Sequence, residues 1–113
     1  MDFDKYKMTR PYPPAPDYPL LPTNPTPEEH RKHADAMEAH LQAIEVWKKE
    51  RSDWEAEESR LLALFKADVL AEVGLTNHPK ADKAYDLAYL YGYSSGLAAV
   101  YNHLMRYAEL LKD

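Results

Sequence analysis

Proline and glycine are segregated along this chain, and their distribution limits which parts of it can be helical. Eight of the nine prolines lie at or before Pro27, the ninth is Pro79, and neither residue type occurs between Pro27 and Gly74. Proline removes a backbone donor and glycine weakens a helix, so a long stretch without either can be helical throughout. The sequence therefore predicts an all-α fold that follows an irregular N-terminal segment.

The length of the chain, 113 residues, leaves room for one small domain and excludes a two-domain enzyme. We expect a proline-rich arm over residues 1–26 and a helical hairpin domain over residues 27–113. The chain has no cysteine, which excludes disulfides, thiolate zinc sites and a cysteine nucleophile. Because no apolar run reaches roughly 18 residues and the N-terminus lacks a signal pattern, we expect a soluble, cytoplasmic protein.

The prolines of the arm follow a three-residue repeat, which is the repeat of polyproline II helix. The repeat comprises Pro13, Pro16, Pro19, Pro22 and Pro25. If it stays extended, the arm spans roughly 50 Å at about 3.1 Å per residue. Three uses of the arm remain open: packing along the chain's own helices, crossing to a second subunit, or serving as a PxxP ligand for an SH3-like or WW-like partner.

A capping signal marks the start of the first helix. Thr26 is a good cap residue and Glu29, three residues later, completes a capping box. Gly74 is a typical C-terminal cap, so the sequence predicts one helix over about residues 27–73. A second capping signal begins at Ser52, and a break there is the alternative.

The second helix is predicted over about residues 79–111, and it contains a ridge of small residues. The ridge residues are four apart and therefore share one helix face: Ala84, Ala88, Gly92 and Gly96. Such a ridge lets another backbone approach closely, which offsets the cost of about 1 kcal/mol for each helical glycine. The alternative is a simple kink between Gly92 and Gly96. Since two helices bury little surface, we expect a homodimer that forms a four-helix arrangement.

A stripe of tyrosines lies next to this ridge, at Tyr85, Tyr89 and Tyr93. Proline rings pack well on aromatic faces, and the arm supplies a row of aligned prolines. We therefore expect the arm to dock on the stripe, within one subunit or exchanged between two. The proline positions expected to dock are Pro13, Pro16, Pro19 and Pro22.

Histidines are the main candidates for chemistry, and three of them share part of one helix: His30, His33 and His40. A zinc site would need a further ligand such as Glu29 or Glu38, and the spacing matches no known ligand set. No nucleophile elbow or phosphate-binding glycine loop occurs. We therefore expect no metal, no cofactor and no catalytic residue, and we interpret the chain as a protein that is not an enzyme.

Acidic residues are concentrated in residues 28–60, which contain ten acidic and six basic residues, and the net charge of the whole chain is −5. Direct binding to nucleic acid is therefore disfavoured, because such binding requires a basic surface. Trp47 and Trp54 are candidate anchors for a protein partner, although both would also suit a helix-packing core. The acidic candidates beside them are Glu50, Asp53 and Glu57.

Several short stretches of the chain resemble small accessory proteins of tailed bacteriophages. They are KMTRPYP at residues 7–13, HPKADKAY at 78–85, LAY at 87–89, YGYSSG at 91–96 and VYN at 100–102. The resemblance implies production in the cytoplasm of an infected bacterial host, and it does not imply any particular activity for the protein.

Together with the absence of catalytic motifs, this resemblance favours a non-enzymatic phage protein that binds and inhibits or diverts a bacterial host or defence protein. One alternative is an acidic mimic of nucleic acid that occupies a basic groove. The acids it would present are Glu45, Glu50, Asp53, Glu55, Glu57 and Glu58. A virion-assembly or structural component is the other alternative.

Overall fold

Helices form all the regular secondary structure that the computed structural model describes, which covers residues 1–112. A 3₁₀-helix over Phe3–Tyr6 is followed by α1 at Pro27–Glu72, α2 at Ala81–Gly92 and α3 at Leu97–Leu111. A second 3₁₀-helix at Tyr93–Ser95 connects α2 to α3. No strand occurs in residues 1–112, so the prediction of an all-α fold is confirmed.

The chain divides into two compact units, and they do not follow the predicted boundary after residue 26. Residues 9–57 form the arm unit, in which the arm contacts the first part of α1. Residues 1–8 and 58–112 form the core unit. The N-terminal residues belong to the core unit because Tyr6 is buried there among residues of α1, α2 and α3.

The helix α1 runs without interruption through Ser52, as the absence of proline and glycine favours. Its predicted capping box is present: the Thr26 amide donates to Oε1 of Glu29 and the Glu29 amide donates to Oγ1 of Thr26, each at 3.1 Å. At the other end Gly74 has φ +77, and the Leu75 amide donates to the Leu70 carbonyl at 2.8 Å. This is the glycine-terminated C-cap expected from the sequence.

The second predicted helix, over about residues 79–111, is wrong as a single element. It is interrupted at Gly96, which has φ +103, and α2 and α3 pack against each other on either side of the interruption. A backbone at that φ leaves the helical region, and glycine adopts it without the steric penalty of a Cβ. The alternative prediction, a kink between Gly92 and Gly96, located the interruption of the helix correctly. The chain turns further there than a kink would, because α3 packs back against α2.

The ridge of small residues also divides at this point. Ala84, Ala88 and Gly92 are buried, and a Cβ on Gly92 would lie 2.7 Å from the Val100 amide nitrogen of α3. Gly96 does not belong to the ridge, because a Cβ there would meet nothing within 4 Å. The segment that approaches the ridge so closely is therefore α3 of the same chain, and the ridge is no evidence for a second subunit.

The core unit is built around apolar side chains of α1, α2, α3 and the N-terminal 3₁₀-helix. The largest fully buried side chains are Phe65, Val69, Leu75, Val100 and Leu104. The rings of Phe3 and Tyr6 both contact Phe65, with centroids 6.5 and 5.2 Å away. Among residues 1–112, no helix is both long and apolar enough to cross a bilayer.

Candidate protein-interaction surface

The tyrosine stripe predicted from the sequence is a continuous stack of rings on the core unit. Tyr85 and Tyr89 are one helical turn apart on α2, and Tyr93 follows in the connecting 3₁₀-helix. The Tyr85 and Tyr89 ring centroids are 6.0 Å apart at an interplanar angle of 25°, and those of Tyr89 and Tyr93 are 5.6 Å apart at 16°. The stack leads from a buried residue, Tyr85, to an exposed one, Tyr93.

Two shallow depressions lie on either side of Tyr89. One has a volume of about 300 Å³, and its lining residues are Tyr85, Asp86, Tyr89, Leu90 and Tyr93. The other has a volume of about 320 Å³, and its lining residues are Leu62, Ala63, Lys66, Tyr85 and Tyr89. Leu90 and Tyr93 are 62% and 60% exposed. We call Tyr85, Tyr89, Leu90 and Tyr93 the tyrosine surface.

Two charged side chains lie next to the tyrosine surface: Asp86 lines one depression, and Lys66 lines the other. Lys66 forms an ion pair with Asp82 at 3.1 Å and also lies 5.3 Å from the centre of the Tyr85 ring. Burial, followed by the nearby Tyr89 and Asp86, raises the pKa of Tyr85 to about 12. The phenol of Tyr85 is therefore neutral at physiological pH, so this residue contributes aromatic area together with an uncharged hydroxyl group.

The two tryptophans, predicted as partner anchors, have their indole N–H groups occupied within the arm unit. Trp47 Nε1 donates to the Pro13 carbonyl at 2.9 Å, and Trp54 Nε1 donates to the Arg10 carbonyl at 3.1 Å. The Arg51 guanidinium lies 4.6 Å from the centre of the Trp47 ring. Both side chains are half-buried, and their polar atoms hold the arm.

The acidic candidates beside the tryptophans differ in their surroundings. Glu57 accepts a hydrogen bond from Nε of Arg10 at 3.2 Å, so part of its charge is neutralised by the arm. Glu50 and Asp53 are exposed. These acids therefore do not converge with the tryptophans on one polar site.

The contacts of the arm are with α1, whereas the predicted docking surface was the tyrosine stripe of α2. Besides the two tryptophan bonds, Nε2 of His33 lies 3.3 Å from the Pro19 carbonyl. Two edge-to-face ring contacts are also present, between Tyr12 and Trp54 and between Tyr18 and His40. Pro13, Pro16 and Pro19 are half-buried and Pro22 is exposed.

A signal for this docking is present in the sequence and was missed. His33, His40, Trp47 and Trp54 are seven residues apart along α1, so they share one helix face, and each carries a ring N–H group. We call these four residues the arm-binding face. These ring N–H groups can donate hydrogen bonds to the backbone carbonyls of the proline-rich arm. This pattern indicates where the arm docks more strongly than the packing of prolines on tyrosines does.

Histidines do not come together as a metal site in the part of the chain that the structure describes. No group of three His, Asp or Glu side chains in residues 1–112 has suitable geometry for a metal ion. His30 is exposed, while His33 and His40 contact the arm.

One known family matches nearly the whole sequence. A family model described as a family of unknown function, DUF8546, matches residues 8–113. Neither the curated proteins nor the solved structures contain a match.

Proposed function

Given that the chain belongs to the DUF8546 family of unknown function, we propose from its structure that it is a non-enzymatic binding protein. The tyrosine surface contacts a protein partner, and no cofactor takes part. This proposal deepens the sequence-based hypothesis of a binding role and moves the contact from the tryptophans to the tyrosines.

The observation that carries the proposal is the exposed end of the tyrosine stack. Tyr93 and Leu90 expose large apolar side chains next to two shallow apolar depressions. Interfaces are enriched in tyrosine, and a few aromatic anchors that enter a partner's pockets supply most of the binding energy. The ring stack limits the side-chain motion that binding would otherwise restrict, so the surface is partly preorganised.

The partner we propose is a bacterial host or defence protein, and the protein acts in the host cytoplasm as a homodimer. The support for this partner and location is the resemblance of residues 78–85 and 91–96 to accessory proteins of tailed bacteriophages. Those residues include Tyr85 and Tyr93, two of the four residues of the tyrosine surface, so the segments that carry the resemblance and the proposed contact overlap. The homodimer is proposed because so few helices bury little surface on their own.

An acidic mimic of nucleic acid is a competing proposal, and the ion pairs of the arm unit weaken it. Glu45, Glu55 and Glu57 each lie within 4.0 Å of a basic group, namely Lys48, Arg51 and Arg10. The two proposals differ in salt dependence, because mimicry weakens steeply with ionic strength and an aromatic contact weakens little. A virion component, the third candidate, would be found in purified particles.

Affinity purification from a bacterial lysate tests the proposal when it is performed with three forms of the chain. The wild type and a control variant, Leu110→Ala, should retain the same co-purifying protein, since Leu110 is an exposed leucine of α3 outside the tyrosine surface. The double variant Leu90→Ala, Tyr93→Ala should lose it. A protein retained equally by all three forms contradicts the proposal.

A further inference from the structure

The arm and the arm-binding face match each other in repeat length. Along α1, seven residues rise about 10.5 Å, and along a polyproline II strand three residues rise about 9.3 Å. The hydrogen bonds follow this match with opposite chain directions: Trp54 contacts the Arg10 carbonyl, Trp47 the Pro13 carbonyl and His33 the Pro19 carbonyl. The arm-binding face is therefore a surface fitted to a proline-rich strand.

Residues 9–26 of the arm are attached by lateral contacts rather than by insertion into a core. None of residues 9–26 is buried, and Leu20 of the arm is 88% exposed. Residues 1–8 are attached more firmly, because Tyr6 is buried and its hydroxyl donates to Oδ2 of Asp68 at 2.6 Å. All of these contacts are non-covalent and would form equally well with residues 1–26 of another copy.

The chain reversal that returns the arm to its own helix is unfavourable locally. The bend lies at Thr23 and Asn24, and Asn24 has φ +54, a backbone conformation that asparagine adopts more readily than most residues other than glycine. The next residue is Pro25, and a residue before proline prefers an extended backbone with negative φ, which Asn24 does not have. A bend that opposes these preferences is the kind of hinge that favours exchange of a segment between copies.

We propose that residues 1–26 exchange between two copies of this chain, each arm occupying the arm-binding face of the partner copy. This inference rests on the homodimer of the proposed function and identifies how the two subunits are joined. Exchange preserves the hydrogen bonds and ring contacts of the arm, and it lets residues 22–25 straighten. The exchanged dimer is therefore stabilised relative to two monomers, because the unfavourable backbone conformation at Asn24 is relieved in both chains.

Cross-linking of two different single-cysteine chains tests this proposal directly, since the protein has no cysteine of its own. The chains are full-length Tyr18→Cys and His40→Cys, whose native rings lie 5.3 Å apart in the docked arm. Neither site is fully buried, so both variants should fold. After the two are mixed under conditions that allow subunit exchange, a short thiol–thiol cross-linker should give a covalent heterodimer.

The matched control replaces His40→Cys with Leu41→Cys, because Leu41 is adjacent in sequence and 61% exposed on another face of α1. This control should give at least tenfold less heterodimer. Equal yields from both mixtures, or no covalent heterodimer from either, overturn the exchange.

Substitution of the hinge provides a second, independent measurement. Asn24→Gly makes the tight bend unstrained, so the dimer dissociation constant measured by light scattering should rise about tenfold. Asn24→Pro prevents positive φ and should leave the protein dimeric at every accessible concentration. A monomeric Asn24→Pro variant contradicts the proposal. The lysate experiment does not depend on these results, because the tyrosine surface lies in the core unit.

Discussion

His40 is the residue of the arm-binding face whose role in docking is incomplete. In the described part of the chain its buried Nδ1 has no hydrogen-bond partner. The spacing of the neighbouring bonds points to the Pro16 carbonyl as the acceptor, but the ring instead contacts Tyr18 edge-on. A buried polar atom without a partner carries a desolvation cost that the folded state has to offset.

The variant His40→Phe removes that nitrogen and keeps an aromatic ring against Tyr18. We expect the free energy of unfolding to rise by about 1 kcal/mol, as measured by denaturant titration. The control is His33→Phe, which loses the contact of Nε2 with the Pro19 carbonyl and should be less stable than the wild type. A destabilised His40→Phe would show that the His40 nitrogen contributes favourably in the folded protein.

Tyr6 and Asp68 form a hydrogen bond that makes the stability of the core unit depend on pH. Burial, together with the bond to the Asp68 carboxylate, raises the pKa of Tyr6 to about 12. The bond from Tyr6, followed by the charge of Lys5, lowers the pKa of Asp68. The contribution of Asp68 is therefore present above its unfolded pKa of about 3.9 and is lost as pH falls through its lower folded pKa. The contribution of Tyr6 is present below pH 10 and is lost as pH rises through about 12.

The variant Tyr6→Phe should have a lower Tm than the wild type at pH 7. The difference should shrink as the pH falls below about 4, because protonated Asp68 accepts a weaker hydrogen bond. Thermal melts between pH 3 and 7 measure it. Tyr107→Phe is the control, since its hydroxyl makes no hydrogen bond within residues 1–112 and its Tm difference should not change with pH. A constant difference for Tyr6→Phe would contradict the assigned charge on Asp68.

At the scale of helices, Gly92 sets the distance between α2 and α3. A Cβ at this position would be 2.7 Å from the Val100 amide nitrogen and 2.9 Å from the Ala99 carbonyl carbon, both of which are backbone atoms. Backbone atoms cannot move aside by a rotamer change, so the helices themselves would have to separate. The close approach keeps Ala88 and Val100 fully buried between them.

Gly92→Ala should lower the free energy of unfolding by about 2 kcal/mol, because overpacking outweighs the better helix propensity of alanine. Chemical denaturation followed by circular dichroism measures this loss. Ser94→Ala, at an exposed position two residues away, should change stability by less than about 0.5 kcal/mol. Equal stability of Gly92→Ala and wild type would show that α2 and α3 are not closely packed.

The elements that the sequence predicted well are those whose ends are determined by interactions between residues close in sequence. The Thr26–Glu29 capping box and the Gly74 terminus define α1, and both depend only on residues a few positions apart. The role of Gly96 could not be predicted in this way. It lies four residues after Gly92, so it could belong either to the small-residue ridge or to a turn between two helices. Only the packing of α3 on α2 distinguishes the two.

For the molecule as a whole, the sequence predicted a docked arm but not the helix that receives it. Proline rings pack on any aromatic face, so composition alone could not distinguish Tyr85 and Tyr89 from Trp47 and Trp54. The tryptophans differ in having an indole N–H group, which donates a hydrogen bond to a backbone carbonyl of the arm. The face of a tyrosine ring cannot donate such a bond. Tyr93, at the end of the tyrosine stack, is exposed, as the proposed binding role requires.

The affinity of the purified co-purifying protein for the tyrosine surface is the most direct test of the binding role. In calorimetric titrations, Leu90→Ala, Tyr93→Ala should raise the Kd at least 100-fold relative to wild type, or about 2.8 kcal/mol, with the melting curve of the free protein little changed. A Kd within twofold of the wild-type value would contradict the account, because the exposed tyrosine stack would then contribute nothing to binding.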